Sequence, residues 1–416
     1  MKDRLYRLLR ASERYTKTDM VYLATSGFWM NAQVLFLSVG SLFLAIAFAN
    51  LLPAETYGVY QYLLSFSTII GALTLTGMNY AVTQAVARGY EGVVRESVRT
   101  QLRWSVIPLL CGIGVGVYYL LQGNAELGYG LFLIGVFTPL IYAFNTYIAF
   151  LNGKKEFKQT FVYGVVLNGA YYGSILLATV YLKEALLLLL VNLLVNAAVT
   201  VALYMRTLAR YRPNRSIDTE TLPYGKHLSL MYVPTLVIRQ LDNILVFQML
   251  GPVQLAVYSF ASTVPERIAG FFKFAFTAAL PKFSTRTRES IQSSLLSKMM
   301  FMTAAGLVIA LLYIAAAPYV FALLFPAYLE AIPYSQLYAL LIVASASNLS
   351  TSALLSQQLK RELYIFYTVT PFVQLTFQVA LLWSFGLWGL IVGRIISSVL
   401  DTVVSTALFY WYPQKR

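Results

Sequence analysis

Runs of about 20 apolar residues recur along this whole chain, and each is as long as a helix must be to cross ~30 Å of hydrocarbon. Twelve candidate spans start near Val21, Tyr57, Trp104, Leu127, Thr160, Ala185, Leu228, Val253, Met299, Pro333, Leu363 and Phe385. In lipid every backbone N–H and C=O must find its partner inside the protein, so runs of this length read as helices. Composition agrees, with 58% hydrophobic and 12% charged residues against roughly 45–50% and ~25% in soluble domains. The chain reads as an all-α integral membrane protein.

The net charge of +14 suggests nucleic acid until the basic residues are placed between the spans. They fall in alternate connections: Lys2 to Lys17, Arg88 to Arg103, Lys154 to Lys158, Arg206 to Lys226, Lys282 to Lys298, Lys360 with Arg361, and Lys415 with Arg416. The other connections hold only Lys183. This is the positive-inside pattern, which predicts both termini on the cytoplasmic side of the inner membrane and supplies no continuous basic face for nucleic acid. The N-terminal segment puts Leu5, Leu8 and Leu9 on one face among basic residues, as in a helix lying on the membrane surface. The single cysteine, Cys111, has no partner for an internal disulfide.

Internal repetition organises the spans. LLPAETYGVYQYL from Leu51 echoes MLGPVQLAVYSFA from Met249, so that an offset of 198 lays Leu52 on Leu250, Val59 on Val257 and Tyr60 on Tyr258. KKEF at Lys154 echoes KREL at Lys360 with an offset of 206. Six spans per repeat return the chain to its starting side, so the repeats run parallel, with an expected axis along the membrane normal and a cavity between the halves. The expected divisions are a cytoplasmic amphipathic N-terminus (1–20), a first six-helix bundle (21–206), a polar cytoplasmic linker (207–226), a second six-helix bundle (227–410) and a cytoplasmic C-terminus (411–416).

Enzyme chemistry has little to stand on. GKKEFKQT from Gly153 lacks the second glycine and the ending of a phosphate-binding loop, and His227, the one histidine, sits at a span end. Neither a metal site nor a histidine-dependent triad is expected, and no cofactor beyond a coupling proton or sodium ion. The outer connections are short, the longest running roughly from Pro318 to Ile332, which leaves no room for the large external domain of a membrane glycan polymerase or ligase. Tyr118, Tyr119, Tyr171, Tyr172, Trp383 and Trp388 sit near span ends, as an interfacial aromatic belt does.

The charges inside the spans carry the functional signal, because each costs at least ~2.5–3.5 kcal/mol at the bilayer centre. Span seven holds Arg239 and Asp242 in VIRQLDNILVF, span eight Glu266, Arg267 and Lys273, and span twelve Arg394 and Asp401, while spans one to six hold none. Helical spacing sets Glu266 on the face of Lys273, Arg394 on that of Asp401, and Arg239 near Asp242. Two readings follow. The charges can neutralise one another within the bundle, Arg239 with Asp242 or Glu266 and Arg394 with Asp401. Alternatively they line a cavity in which four basic and three acidic groups leave a positive surplus suited to a pyrophosphate.

LLPAETYGVYQYLLSFSTIIGALTLTGMNYAVTQAVARG in the first half, with RQLDNILVFQMLGPVQLAVYSFAS in the second, resembles the polysaccharide-exporter and O-antigen (Wzx-type) flippase branch of the multidrug/oligosaccharidyl-lipid/polysaccharide exporter superfamily. The resemblance implies twelve helices in two bundles, alternating access, and a central cavity lined by spans one, two, seven and eight. It also implies an undecaprenyl-pyrophosphate-linked oligosaccharide as cargo, membrane lipids as surroundings, and a polysaccharide polymerase and glycosyltransferases as pathway partners. The RQLDN stretch matches the family pattern at Arg239 and Asp242. Relatives that flip the peptidoglycan precursor carry first-half cavity arginines, which this chain lacks. The expected substrate ligands are thus Arg239, Arg267, Lys273 and Arg394, and the expected ion-coupling carboxylates Asp242, Glu266 and Asp401. A cation-coupled small-molecule or multidrug antiporter of the same fold is the rival expectation.

Overall fold

The computed structural model describes residues 20–277, 288–344, 347–357 and 360–411. The N-terminal leucines Leu5, Leu8 and Leu9 lie outside these residues, as do Lys282 and the C-terminal 412–416. All the regular structure among them is helical. In chain order the helices are α1 (Met20–Leu51), α2 (Ala54–Ala72), α3 (Met78–Ala87), α4 (Val93–Trp104), α5 (Val106–Leu121), α6 (Ala125–Phe144), α7 (Thr146–Gly153), α8 (Phe157–Tyr181), α9 (Ala185–Tyr211), α10 (Thr221–Leu250), α11 (Pro252–Thr277), α12 (Arg288–Leu324), a 3₁₀ turn (Pro326–Ala331), α13 (Ile332–Tyr338), α14 (Leu340–Ala344), α15 (Ser347–Ser356) and α16 (Lys360–Trp411).

Nine helical stretches among the described residues are long and apolar enough to cross a membrane, and three local features reconcile them with twelve spans. The second span is α2 followed by α3, broken where Leu75 takes φ 63°, a left-handed conformation that a leucine adopts only under constraint from its surroundings. The eighth, α11, reaches the edge of the described residues at Thr277. The last stretch, α16, is two helices, because Gly386 has φ 59° and ψ −142°, open to glycine alone, and turns the chain back. Gly389 then lies against the Leu381 carbonyl and Gly393 is packed so that a Cβ would stand 3.2 Å from the Phe377 carbonyl oxygen. Both pairs are centred near residue 385, as in an antiparallel hairpin. Large apolar side chains such as Leu121, Leu323 and Trp383 are exposed on the outer faces of these helices, where a soluble protein would hide them and a lipid-facing one need not. The chain is a multi-pass membrane protein.

The helices form two compact units, one comprising the described residues up to Ala47 with Leu63–Gln240, the other Phe48–Tyr62 with the described residues from Leu241 onward. The first centres on Val82, Val86, Val94, Tyr147 and Phe150, where α3, α4 and α7 meet. The second has two apolar centres, around Tyr313, Ala317, Ala339 and Ile342, and around Ile291, Leu295, Leu354 and Phe409. The units are drawn differently from the sequence halves, since the end of α1 and the start of α2 belong with the second unit. There the repeat segments pack on one another. Tyr57 stacks on Phe260 with ring centroids 4.5 Å apart, Tyr62 stacks on Phe247 at 3.8 Å, and Gln248 donates to the Tyr62 hydroxyl at 2.5 Å. Gly58 fits because it has no side chain, for a Cβ there would run into the Pro252 carbonyl oxygen. Gly58→Ala is therefore expected to lose about 1–3 kcal/mol through overpacking, read as a lowered thermal unfolding temperature of the detergent-solubilised protein.

Within the first unit, the linker between α9 and α10 is pinned to the loop between α3 and α4. Arg88 meets Asp218 at 2.6 Å, Lys154 meets Glu91 at 2.6 Å, the Asn214 N–H donates to Glu91 at 3.1 Å, and the Gly92 N–H donates to the Ser216 carbonyl at 2.9 Å. Partial burial pushes the Glu91 carboxyl up, but the hydrogen bonds from Lys154 and Asn214 and the Lys154 charge outweigh it and hold the group below the usual carboxylate range. Asp218 is also held low, first by the Thr221 hydroxyl, against some desolvation, and then by the Glu220 N–H and Arg88. Depressed carboxyls contribute stability that is fully present above their unfolded values near pH ~4 and lost as pH falls through the folded ones. Exchange of the Asn214 and Gly92 amides, corrected for intrinsic rates, should thus stay flat from neutral pH to about 5 and rise only in more acid solution. Lys154→Ala should move that rise to higher pH.

Candidate functional site

Two of the described intramembrane carboxylates of the second unit, Asp242 and Glu266, converge on Arg394. By alternation of the spans, Leu250 at the end of α10 and the Gly386 turn lie on one side of the bilayer. Asp242 and Arg394 each stand eight residues from those points, about 12 Å of helix, so the two meet at one depth. Arg394 Nη1 lies 2.9 Å from Asp242 Oδ2 and 3.7 Å from Glu266 Oε1. The same nitrogen donates to the Tyr258 hydroxyl at 2.6 Å, and that hydroxyl donates to Asp242 Oδ2 at 3.0 Å, which closes a triangle. Tyr338 donates to Glu266 Oε1 at 2.5 Å and presents its ring to the guanidinium, with Cζ 5.3 Å from the ring centroid.

The carboxylates differ in surroundings. The Asp242 side chain is 6% exposed, that of Glu266 54%, and that of Arg394 29%. Asp242 is a buried charge held by a cation and a hydroxyl, which is what a carboxylate removed from water requires. Glu266 is half in the open and stands beyond hydrogen-bond distance of Arg394. Arg394 uses one nitrogen for all three partners, and Nη2 and Nε make no hydrogen bond to the described residues. A guanidinium offers five N–H donors in a planar fork matched to carboxylate and phosphate oxygens, so the open edge is a ready anion ligand. With two carboxylates to one guanidinium, the cluster alone carries net charge −1, and any positive surplus comes from its surroundings.

The remaining candidates fall apart from this cluster. Arg239 is exposed one turn before Asp242, and the unit boundary passes between Gln240 and Leu241. Arg267, next to Glu266, is half-buried. Lys273 is on α11, but its side chain lies outside the described residues. Asp401 lies beside the Thr370 hydroxyl, across the hairpin formed by α16, and not against Arg394. Arg394 is thus paired, but with Asp242 and Glu266 from other helices. Sequence reasoning passed over Tyr258 and Tyr338, two among 31 tyrosines. Tyr258 did carry a signal, its match to Tyr60 in the repeat. Among the described residues no group of three or more His, Cys, Asp or Glu is placed to hold a metal ion.

Comparisons with known proteins bear on the family and the fold. Residues 35–287 match the family described as polysaccharide biosynthesis protein. The fold is similar to an inward-facing multidrug resistance MATE family transporter of the MOP superfamily, with TM-score 0.66, 16% identity, and 91% of this chain and 93% of that one covered. It is equally similar to the lipid II flippase MurJ in an inward closed conformation, with TM-score 0.66, 10% identity, and coverage of 90% and 86%. A eukaryotic MATE transporter, AtDTX14, matches with TM-score 0.53, 15% identity and coverage of 93% of each chain. None of the curated proteins matches the sequence. At these identities the solved structures establish the fold, and the family match covers most of the chain: the protein belongs to the polysaccharide biosynthesis protein family and has the fold of the MOP transporters.

Proposed function

We propose that the protein is a flippase that moves a pyrophosphate-linked oligosaccharide, an undecaprenyl-pyrophosphate-bound repeat unit of O-antigen, capsule or exopolysaccharide, from the cytoplasmic to the outer leaflet of the inner membrane. The observation that carries this reading is the open fork of Arg394 in a bilayer-spanning helix of a polysaccharide biosynthesis family member. Such a fork suits the phosphate oxygens of a lipid-linked headgroup, and the fold's likeness to the lipid II flippase MurJ supports a lipid-bound cargo. Arg239, Arg267 and Lys273 supply further positive charge along α10 and α11. Asp242, Glu266 and Asp401 are the carboxylates on which a proton or sodium ion would act. Movement of one charge through 100 mV yields ~2.3 kcal/mol, enough to bias a conformational equilibrium without nucleotide hydrolysis. Both termini lie in the cytoplasm in this scheme, and glycosyltransferases and a polymerase act before and after it.

The test is the accumulation of lipid-linked glycan on the cytoplasmic leaflet of cells that carry Arg239→Ala, Asp242→Ala or Arg394→Gln at normal protein levels. Accumulation is the expected result, and normal translocation by all three would overturn the assignment. A second reading, a cation-coupled multidrug antiporter, draws on the fold shared with the MATE transporters. A deletion strain with altered drug resistance and unchanged surface glycan would favour it.

A further inference from the structure

We infer that Glu266 is a built-in competitor for Arg394, a carboxylate that is displaced when an anionic headgroup binds and that returns to expel it. This rests on the reading of Arg394 as a phosphate ligand and adds a release step to it. The two acids beside Arg394 are unequal. Asp242 is buried, shares Oδ2 with Nη1 at 2.9 Å and is fixed further by Tyr258. Glu266 is 54% exposed and stands 3.7 Å from the same nitrogen. A hydrogen bond from the Tyr338 hydroxyl to Oε1 holds it beside the cation, beyond hydrogen-bond distance of it. An incoming phosphate therefore has one carboxylate it cannot dislodge and one it can. Asp242 keeps the guanidinium oriented throughout, and Glu266 exchanges with the cargo.

The arrangement answers a requirement of transport, since a site that binds a doubly charged headgroup must also release it, and a competing carboxylate speeds that release. Carboxylate and phosphate are ligands of the same fork, so each weakens the hold of the other. Glu266 is thus a positioning residue for release, and Tyr338 sets how closely it waits.

Binding of farnesyl pyrophosphate to the purified protein in detergent tests this, alongside glycan export in cells. Glu266→Gln, which keeps shape and removes charge, should tighten binding about 3- to 5-fold, the scale of a half-exposed ion pair, while export slows. Tyr338→Phe should give the same change in smaller measure, because Glu266 loses its tether. Arg394→Gln should weaken binding at least about 10-fold, and Glu266→Gln should add nothing in that background. Asp242→Asn accompanies Arg394→Gln if the single variant fails to fold. Unchanged or weaker binding in Glu266→Gln, with Arg394→Gln still weakened, would overturn the competitor role and leave the phosphate ligand standing. A gain from Glu266→Gln that persists without Arg394 would overturn it too, and unchanged binding in Arg394→Gln would instead sink the phosphate reading itself.

Discussion

Arg394→Ala is expected to lower the stability of the folded protein by about 3–5 kcal/mol, the usual cost of removing one partner from a buried pair. The magnitude comes from what stays behind. Asp242, 6% exposed in its side chain, would be left buried without its cation and with only the Tyr258 hydroxyl as partner. The pair itself contributes much less than that, because bringing both ions out of water costs nearly what their attraction returns. Arg394→Met combined with Asp242→Leu should therefore recover most of the unfolding temperature lost in the single variant. Glycan export should not recover. Thermal unfolding in detergent measures the first outcome and surface glycan the second; if the double variant restored both, the pair would be a helix clasp with no part in transport. If Arg394→Ala left the unfolding temperature unchanged, the burial of Asp242 would itself be in question.

Tyr62→Ala should cost a similar amount, about 3–5 kcal/mol for removal of a large, fully buried aromatic. Tyr62 is stacked on Phe247 and receives the Gln248 amide, so truncation leaves a cavity and removes a hydrogen bond. Tyr62→Phe separates the two losses. It keeps the ring and should cost about 0.5–1.5 kcal/mol for the lost hydrogen bond alone. Both values come from unfolding in detergent, and near-equal effects of the two substitutions would mean that the stack contributes little.

The helices themselves were legible, because lipid allows the backbone few alternatives and charge alternation marks each crossing. The break in the second span was not. Leu75 takes a left-handed conformation with no glycine to announce it, since tertiary packing imposes what local preference does not. In the candidate site, Arg394, Asp242 and Glu266 were legible as costly intramembrane charges. Their pairing was not, because helical spacing reports only neighbours on one helix. Arg394 and Asp401 share a face by spacing, yet Arg394 turns to Asp242 on α10 and Asp401 to Thr370 across the hairpin. Tyr258 and Tyr338 were hidden by composition, for a tyrosine in an apolar span usually needs only some acceptor for its hydroxyl, and nothing local says which.

The placement of Phe48–Tyr62 in the unit completed by the described residues from Leu241 onward also sets a clock on biogenesis. At ~5–20 residues per second, the ribosome reaches the partners of Tyr57 and Tyr62 roughly 10–40 s after making those tyrosines. Through that interval the early segment waits in the membrane with Gly58 and its aromatic faces uncovered. Cutting the gene in the linker should thus give two fragments that insert but mature only when made together, and a chain stalled before residue 241 should be a preferred target of membrane quality-control proteases.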